Sequence, residues 1–209
     1  MADRFIAVSG NMGVGKTSLV QFLSTRYDIQ PVFEPFADNP YLDDFYRDMK
    51  GFAFRSQLWF LARKFRLHQD MQARSGTFVM DRPIYEDVEV FATHLARGRY
   101  IAKRDFQTYL ELYDAMKRSL RPPDLLIHLR CSVRAIRRRI KVRGRPSEQD
   151  IPAAYLRRLN RLYEGWIAGW THSPVLVWDT ERLDYVTDLV DRLDFQRALD
   201  PFLSLVERG

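Results

Sequence analysis

The sequence contains a single cysteine, Cys131, among its 209 residues. A lone cysteine cannot form an internal disulfide, and it excludes a zinc site built from several cysteine ligands. Long apolar runs are also missing: stretches such as 124–129 have the length of a strand and fall far below the ~20 residues that cross a bilayer. These absences exclude a disulfide-stabilised scaffold and a membrane-spanning helix, and they favour a reducing cytoplasm.

The first residues lack the basic, apolar and small-residue regions of a signal peptide, so we expect no secretion. Hydrophobic residues make up 46% of the chain and charged residues 29%, which is ordinary for a globular protein. We therefore expect residues 1–209 to form a single domain. The net charge of +6 permits nucleic-acid binding, but the excess is concentrated in residues 134–145 and favours a local anionic ligand.

Five short apolar segments alternate with longer stretches whose apolar residues recur at helical spacing. The short segments are Arg4–Ser9, Gln30–Glu34, Thr77–Asp81, Leu125–Leu129 and Val175–Asp179. This alternation predicts an α/β protein with a parallel sheet covered by helices. The stretches predicted as helices include Thr17–Thr25, Phe54–Ala73, Asp87–Leu95 and Arg104–Ser119, the last of which ends before Pro122 and Pro123.

A glycine-rich segment lies between the first predicted strand and the first predicted helix. It reads Gly10-Asn11-Met12-Gly13-Val14-Gly15-Lys16-Thr17-Ser18 and matches the Walker A pattern in full. Its glycines let backbone N–H groups close around phosphate oxygens, while Lys16 reaches the β- and γ-phosphates and Thr17 binds Mg²⁺. The motif predicts a site for ATP or GTP, but it does not separate kinases from GTPases, motor ATPases or recombinases.

Charged residues stand at the ends of the second and third predicted strands, the edge at which an open parallel sheet binds its ligands. They are Glu34 and the pair Asp81-Arg82. A hydroxyl that attacks a γ-phosphate needs an acceptor for its proton and positive charge around the transferred group, which Glu34 and Arg82 would supply in a kinase. The alternative interpretations are a solvent-facing strand end and a local ion pair. The Asn-Lys-x-Asp guanine-binding motif of switch GTPases is absent from the sequence.

The arginine-rich stretch Arg134–Arg145 is predicted to form a lid. Arg139 and Arg143 are four residues apart and therefore share a helical face. Guanidinium groups that close over a triphosphate stabilise its charge and exclude water. The alternatives are a solvated basic face or a contact with nucleic acid.

Taken together, these motifs resemble the deoxyribonucleoside kinase family, in particular its bacterial deoxyadenosine and deoxyguanosine kinases. The matching segments are residues 10–17, 34–46, 57, 81–87 and 143–148, in the order and spacing of the family. The resemblance implies a P-loop NTPase-type three-layer fold with five strands in the order 2-3-1-4-5 and a lid over about residues 134–148. It also implies ATP as phosphate donor, Mg²⁺, a deoxynucleoside substrate, no nucleic-acid or membrane partner, and a homodimer in which the helix predicted for 54–73 is a candidate surface.

The same resemblance assigns roles to individual residues. The residues implied for catalysis are Glu34, which accepts the 5′-hydroxyl proton, with Arg82, Lys16 and Arg143. Those implied to hold the substrate are Tyr46 and Glu148 at the sugar 3′-hydroxyl, and Gln57, Lys64 and Asp87 at the base. Further phosphate contacts fall to Arg139, Arg143 and Arg145, and Asp81 and Glu34 reach Mg²⁺ through water. Two positions depart from the family: Lys64 stands where arginine is usual, and Pro83 where serine is usual.

The base-binding residues indicate which deoxynucleoside is preferred. Gln57 can donate and accept, which suits N6 and N7 of adenine, and the carboxylate of Asp87 favours a base with an exocyclic amine. We expect deoxyadenosine first, deoxyguanosine second, deoxycytidine as a minor substrate, and thymidine last. Two other functions remain open: a thymidylate-kinase-like nucleoside monophosphate kinase, and a P-loop regulator that binds nucleic acid through its arginines.

Overall fold

A computed structural model describes residues 3–181 and 189–204 of the chain. Its strands are β1 Arg4–Ser9, β2 Ile29–Val32, β3 Thr77–Asp81, β4 Leu125–Arg130 and β5 Val175–Asp179. They form one sheet in the order β2-β3-β1-β4-β5, and every neighbouring pair is parallel. The predicted α/β class and the strand order 2-3-1-4-5 are confirmed.

The helices connect these strands and flank the sheet. They are α1 Lys16–Arg26, α2 Leu42–Arg47, α3 Met49–Gln72, α4 Thr93–Arg97, α5 Lys103–Lys117, α6 Val133–Arg143, α7 Ala153–Ala168 and α8 Leu189–Ser204. A π-helical segment, Asp87–Ala92, precedes α4, and 3-10 turns occur at Phe36–Asp38 and Pro146–Glu148. Within the described residues, no helix has the length and apolar character needed to cross a membrane.

The alternation of side chains along β1 explains the three-layer arrangement. Because successive residues of a strand point to opposite faces, Ile6 and Val8 pack with Leu19 of α1 on one face of the sheet. On the other face, Phe5 packs with Met71 of α3. Both faces of the central strand are therefore covered, as expected for a continuously apolar parallel strand.

Two boundaries differ from the predicted ones in ways that affect the site. β2 ends at Val32, so Glu34 lies in a loop rather than in the strand; Pro35 restricts the backbone of Glu34 and cannot donate to a sheet. The helix predicted from Phe54 begins at Met49, because the Asp48 side chain accepts a hydrogen bond from the backbone N–H of Gly51 at 3.0 Å and caps the helix there.

Candidate active site

The glycine-rich loop that follows β1 leads directly into α1. Lys16 extends back over this loop, and its Nζ donates to the carbonyl oxygens of Gly10 at 2.8 Å and Asn11 at 3.0 Å. Burial lowers the pKa of Lys16 to about 8, with the positive charge of Arg82 adding to that effect. Gly15 adopts φ 109°, open to glycine but strained for other residues, at the N-terminus of α1, and no side-chain hydrogen bond caps that end of the helix. The loop therefore fits an anion such as a phosphate.

Thr17 and Asp81 bring two oxygen ligands together beside this loop. Thr17 Oγ1 donates to Asp81 Oδ2 at 2.6 Å, while Asp81 Oδ1 is buried without a hydrogen-bond partner. Residues 3–181 and 189–204 contain no group of three or more histidine, cysteine or acidic side chains suited to a metal ion. Mg²⁺ is commonly held by one or two protein oxygens together with phosphates and water, and the Thr17–Asp81 pair fits that pattern.

Four charged side chains from different elements form one buried network. Glu34, in the loop after β2, has Oε1 at 3.2 Å from Lys64 Nζ and Oε2 at 3.1 Å from Arg82 Nε. Lys64 Nζ also donates to Asp87 Oδ1 at 2.6 Å. Lys64 of α3 therefore bridges the carboxylate implied for catalysis and the carboxylate implied for base recognition, which sequence spacing alone did not indicate.

The network gives its carboxylates different proton affinities. Burial alone would raise the pKa of Glu34, but the charges of Arg82 and Lys64 outweigh it and hold the pKa below its usual value. Burial raises the pKa of Asp87 to about 6, although Lys64 partly opposes the shift. Glu34 is thus kept ionised, as a proton acceptor must be before it reacts.

Arg82 is held in an unusual backbone conformation immediately after β3. Its φ of 61° is left-handed, which is uncommon for a residue other than glycine, and its N–H donates to the Val8 carbonyl of β1 at 2.9 Å. The guanidinium lies over the ring of Phe91, with the carbon centre 4.7 Å from the ring centroid. The N–H direction at Nε is not aligned with Glu34, so their 3.1 Å approach is a charge contact rather than a hydrogen bond.

A pocket opens between this network and helices α2 and α3. It is lined by Met12, Glu34, Phe36, Leu42, Phe45, Tyr46, Ser56, Gln57, Phe60, Arg82, Asp87, Phe91 and Tyr155. Two acceptor atoms of its wall, Gln57 Oε1 and Asp87 Oδ2, are buried and have no hydrogen-bond partner in the described chain. A buried acceptor of this kind carries a desolvation cost that a ligand with matching donors removes.

The π-helical segment explains how Asp87 and Phe91 reach the pocket together. Residues four apart lie on the same side of the segment. The backbone N–H of Thr93 donates to the Val88 carbonyl and closes the π turn, and Thr93 Oγ1 donates to the same carbonyl at 2.7 Å. Such turns occur frequently at functional sites. Sequence reasoning identified Asp87 by resemblance but missed Phe91, Phe36 and the π turn, because nothing in the local pattern distinguishes a π turn from an α-helix.

In the segment predicted to form a lid, Arg143 and Arg145 pair with Glu148. This carboxylate is 2% exposed, and it pairs with Arg143 and, at 3.4 Å, with Arg145. Arg145 in turn lies over the ring of Phe36 at 4.7 Å, which links the lid to the wall of the pocket. Burial raises the pKa of Tyr46, and the electrostatic effects of Tyr155 and Glu148 raise it further.

Arg139 occupies a different place from the other lid arginines. Its guanidinium donates to the Val14 carbonyl and to Thr180 Oγ1, both at 3.1 Å, and it also contacts the Thr180 carbonyl. It therefore joins the glycine-rich loop to the end of β5, while Arg143 and Arg145 face Glu148. The structure does not bring the three predicted lid arginines into one cluster.

The chain is similar in sequence and structure to known proteins of one enzyme family. Residues 6–204 match the deoxynucleoside kinase family. The sheet order, the helices around it and this match define a P-loop NTPase-type fold of that family. The chain belongs to the deoxynucleoside kinase family and is a deoxynucleoside kinase, a phosphotransferase that acts on an alcohol group.

Three relatives illustrate the relationship. The chain is 36% identical over 188 residues to the deoxyadenosine/deoxycytidine kinase of Bacillus subtilis, a match that covers 89% of this chain and 87% of that protein. It is 36% identical over 196 residues to the deoxyguanosine kinase of Lactobacillus acidophilus, covering 90% of this chain and 85% of that one. The structure of deoxyadenosine kinase from M. mycoides with bound dATP superposes with a TM-score of 0.81 at 26% identity, covering 93% of this chain and 99% of the other.

Proposed function

We propose that this enzyme transfers the γ-phosphoryl group of ATP to the 5′-hydroxyl of a purine deoxynucleoside and thereby serves nucleotide salvage. Deoxyadenosine is the first acceptor, deoxyguanosine the second, and deoxycytidine a weaker one. The observation that carries this proposal is the pair of unpartnered acceptors, Gln57 Oε1 and Asp87 Oδ2, in the pocket that also contains Glu34.

Glu34 and Glu148 have different roles at the acceptor. Glu34, kept ionised by Arg82 and Lys64, accepts the 5′-hydroxyl proton as the new oxygen–phosphorus bond forms. Tyr46 and Glu148 hold the sugar 3′-hydroxyl, and Glu148 does so while fixed by Arg143 and Arg145. The nucleoside is thus bound at both its sugar and its base, and its 5′-oxygen lies beside Glu34.

The phosphate side binds ATP through the glycine-rich loop, residues 10–18. Lys16 leaves the loop carbonyls for the β- and γ-phosphates, and Arg82 and Arg143 offset the charge that spreads over the transferred group. Thr17 and Asp81 would hold Mg²⁺, Asp81 through water, with Glu34 as a further contact through water. When bound, Mg²⁺ would neutralise phosphate charge. Arg139 acts on the same side by anchoring Val14, and residues 134–148 act as the lid of a single domain.

The base preference follows from the hydrogen-bonding capacity of the pocket. Because Lys64 already engages Asp87 Oδ1, the free Oδ2 is available for one N–H donor of the base. Adenine and cytosine each present an exocyclic amine, guanine presents N–H donors, and thymine presents a carbonyl to the carboxylate. Relatives named for deoxyadenosine, deoxycytidine and deoxyguanosine support this range of acceptors.

The assembly is proposed to be a cytoplasmic homodimer that packs on α3. Such an interface would leave the inner face of α3, with Gln57 and Lys64, for the substrate pocket.

A single experiment tests the acceptor: ADP release is measured with deoxyadenosine, deoxyguanosine, deoxycytidine, thymidine and dAMP. The proposal requires the highest kcat/KM for deoxyadenosine and the lowest among the nucleosides for thymidine. Thymidine as best acceptor would overturn the preference, and turnover of dAMP alone would overturn the acceptor class.

A further inference from the structure

Glu86 is a buried carboxylate beside the active site for which the mechanism above has no role. Its side chain is fully buried, and Oε1 has no hydrogen-bond partner in the described chain. Oε2 accepts a hydrogen bond from the hydroxyl of Tyr163 on α7. A buried charge that lacks full pairing weakens a fold more often than it stabilises it, so a carboxylate in this state calls for a functional explanation.

The nearest cation to Glu86 is Arg82, which lies between two carboxylates. Arg82 Nε is 3.1 Å from Glu34 Oε2 on one side and 3.9 Å from Glu86 Oε2 on the other. Glu34 is the carboxylate that loses its charge when it takes a proton from the acceptor. When Glu34 is protonated, only one of the two carboxylates beside Arg82 still carries a negative charge. The transferred phosphoryl group requires the Arg82 guanidinium to stay in place at this stage.

We propose that Glu86 is a positioning residue that holds the Arg82 guanidinium while Glu34 carries the acceptor proton, and that Tyr163 orients Glu86 for this task. The left-handed backbone of Arg82 and the ring of Phe91 fix the same guanidinium from two further sides. Tyr163 is itself rigidly held: it is 2% exposed, and its ring contacts His128 and Trp166. The inference rests on the role proposed for Glu34.

The charged groups that face Glu86 give the proposal a pH signature. They are the cations Arg82 from the loop after β3, Lys16 from α1 and Lys64 from α3, and the neutral hydroxyl of Tyr163 from α7 donates a hydrogen bond to Glu86 as well. Burial raises the pKa of Glu86 to about 7 against the opposing effect of these cations. Protonation of Glu86 on going below that pH removes the second counter-charge of Arg82, so kcat should decline on the acid side of about pH 7.

The test compares Glu86→Gln and Tyr163→Phe with Glu89→Gln, which replaces an exposed glutamate of the same segment. At pH 8, Glu86→Gln should lower kcat about 10- to 100-fold with little change in KM for deoxyadenosine or ATP. It should also remove the decline of kcat near pH 7, and its thermal midpoint should be no lower than that of the parent. Tyr163→Phe should show a smaller loss of kcat, and Glu89→Gln should stay within about twofold.

A second readout does not depend on catalysis. Exchange between the two Nη groups of Arg82 by rotation of its guanidinium, followed by NMR, should be slow in the parent enzyme and faster in Glu86→Gln. Equal exchange in the two proteins, or a Glu86→Gln enzyme with unchanged kcat and pH profile, would overturn the positioning role. If the parent enzyme phosphorylates no deoxynucleoside, the proposed function fails, and the exchange measurement still decides whether Glu86 holds Arg82.

Discussion

The phosphate side and the acceptor side of this active site are built on different principles. The proposed phosphate side is centred on one continuous segment, residues 10–18, whose backbone forms the loop and whose lysine donates to its own loop carbonyls. The acceptor side brings Glu34, Lys64, Arg82 and Asp87 together from three separate parts of the chain, and these residues contact one another through charged side chains. The first depends on local backbone geometry, and the second on the tertiary fold.

This difference indicates how each side tolerates change. Loss of one hydrogen bond to a backbone-built loop leaves the remaining N–H groups in place. Loss of one member of a buried charge network leaves its partners uncompensated in a region of low dielectric, and that penalty exceeds the value of the pair itself. Single substitutions should therefore have larger and broader effects on the acceptor side.

The largest effect is expected for Glu34→Gln. The amide keeps the shape of the side chain but cannot accept the hydroxyl proton, so kcat should fall about 10²- to 10⁴-fold. Because residues 10–18 are unchanged, the affinity for ATP should stay within about twofold, a value that equilibrium binding of ATP would establish. A Glu34→Gln enzyme that retains kcat would remove Glu34 from the chemistry, and one that loses ATP binding would contradict the independence of the two sides.

Lys64→Met should produce the next largest effect, on stability as well as activity. Lys64 is 1% exposed and pairs with both Glu34 and Asp87, so its removal leaves Asp87 without its paired cation and Glu34 with Arg82 alone. We expect a loss of about 3–5 kcal/mol in the free energy of unfolding, measured by urea titration. Lys64→Arg is the matched control, since it keeps the charge and restores the residue usual in the family. An unchanged unfolding free energy in Lys64→Met would show that the network is not coupled.

Arg139→Ala should have the smallest effect and should be confined to the phosphate side. It removes the Arg139 hydrogen bonds to Val14 and Thr180 but leaves the direct bond from Thr180 Oγ1 to the Val14 carbonyl at 3.0 Å. The net loss should therefore be about 1 kcal/mol, and KM for ATP should rise about 5- to 10-fold. KM for deoxyadenosine should not change. Arg137→Ala, at an exposed position of the same helix, is the control. A comparable rise in KM for the nucleoside would mean that Arg139 serves both sides.

The same division accounts for what the sequence predicts. The five strands and the glycine-rich loop have local patterns, namely continuous apolar runs and glycines at fixed spacing, so the sheet and the loop could be predicted. The predicted end of β2 lies two residues too far along the chain, because Phe33 continues the apolar run of Val32, and Pro35 ends the strand earlier than that run suggests.

On the acceptor side, the strand ends and the chemistry of phosphoryl transfer indicated Glu34 and Arg82, but the other contacts were accessible only through family resemblance. The sequence around Tyr46, Gln57 and Asp87 does not indicate that these residues contact a ligand. The roles of Gln57 and Asp87 can be inferred physically only once it is known that each has a buried acceptor atom without a hydrogen-bond partner. Glu86 and Phe91 were missed altogether. Their environment is set by α7 and by the π turn, both of which are tertiary features that no short pattern specifies.

The central claim is that the buried Oδ2 of Asp87 reads an exocyclic amine of the base. The most direct test compares deoxyadenosine with purine 2′-deoxyriboside, which lacks only that amine. We predict a kcat/KM lower by about 5- to 150-fold for purine 2′-deoxyriboside, the cost of leaving a buried acceptor unpaired, and a smaller ratio in Asp87→Asn. Equal kcat/KM for the two nucleosides in the parent enzyme would contradict the account.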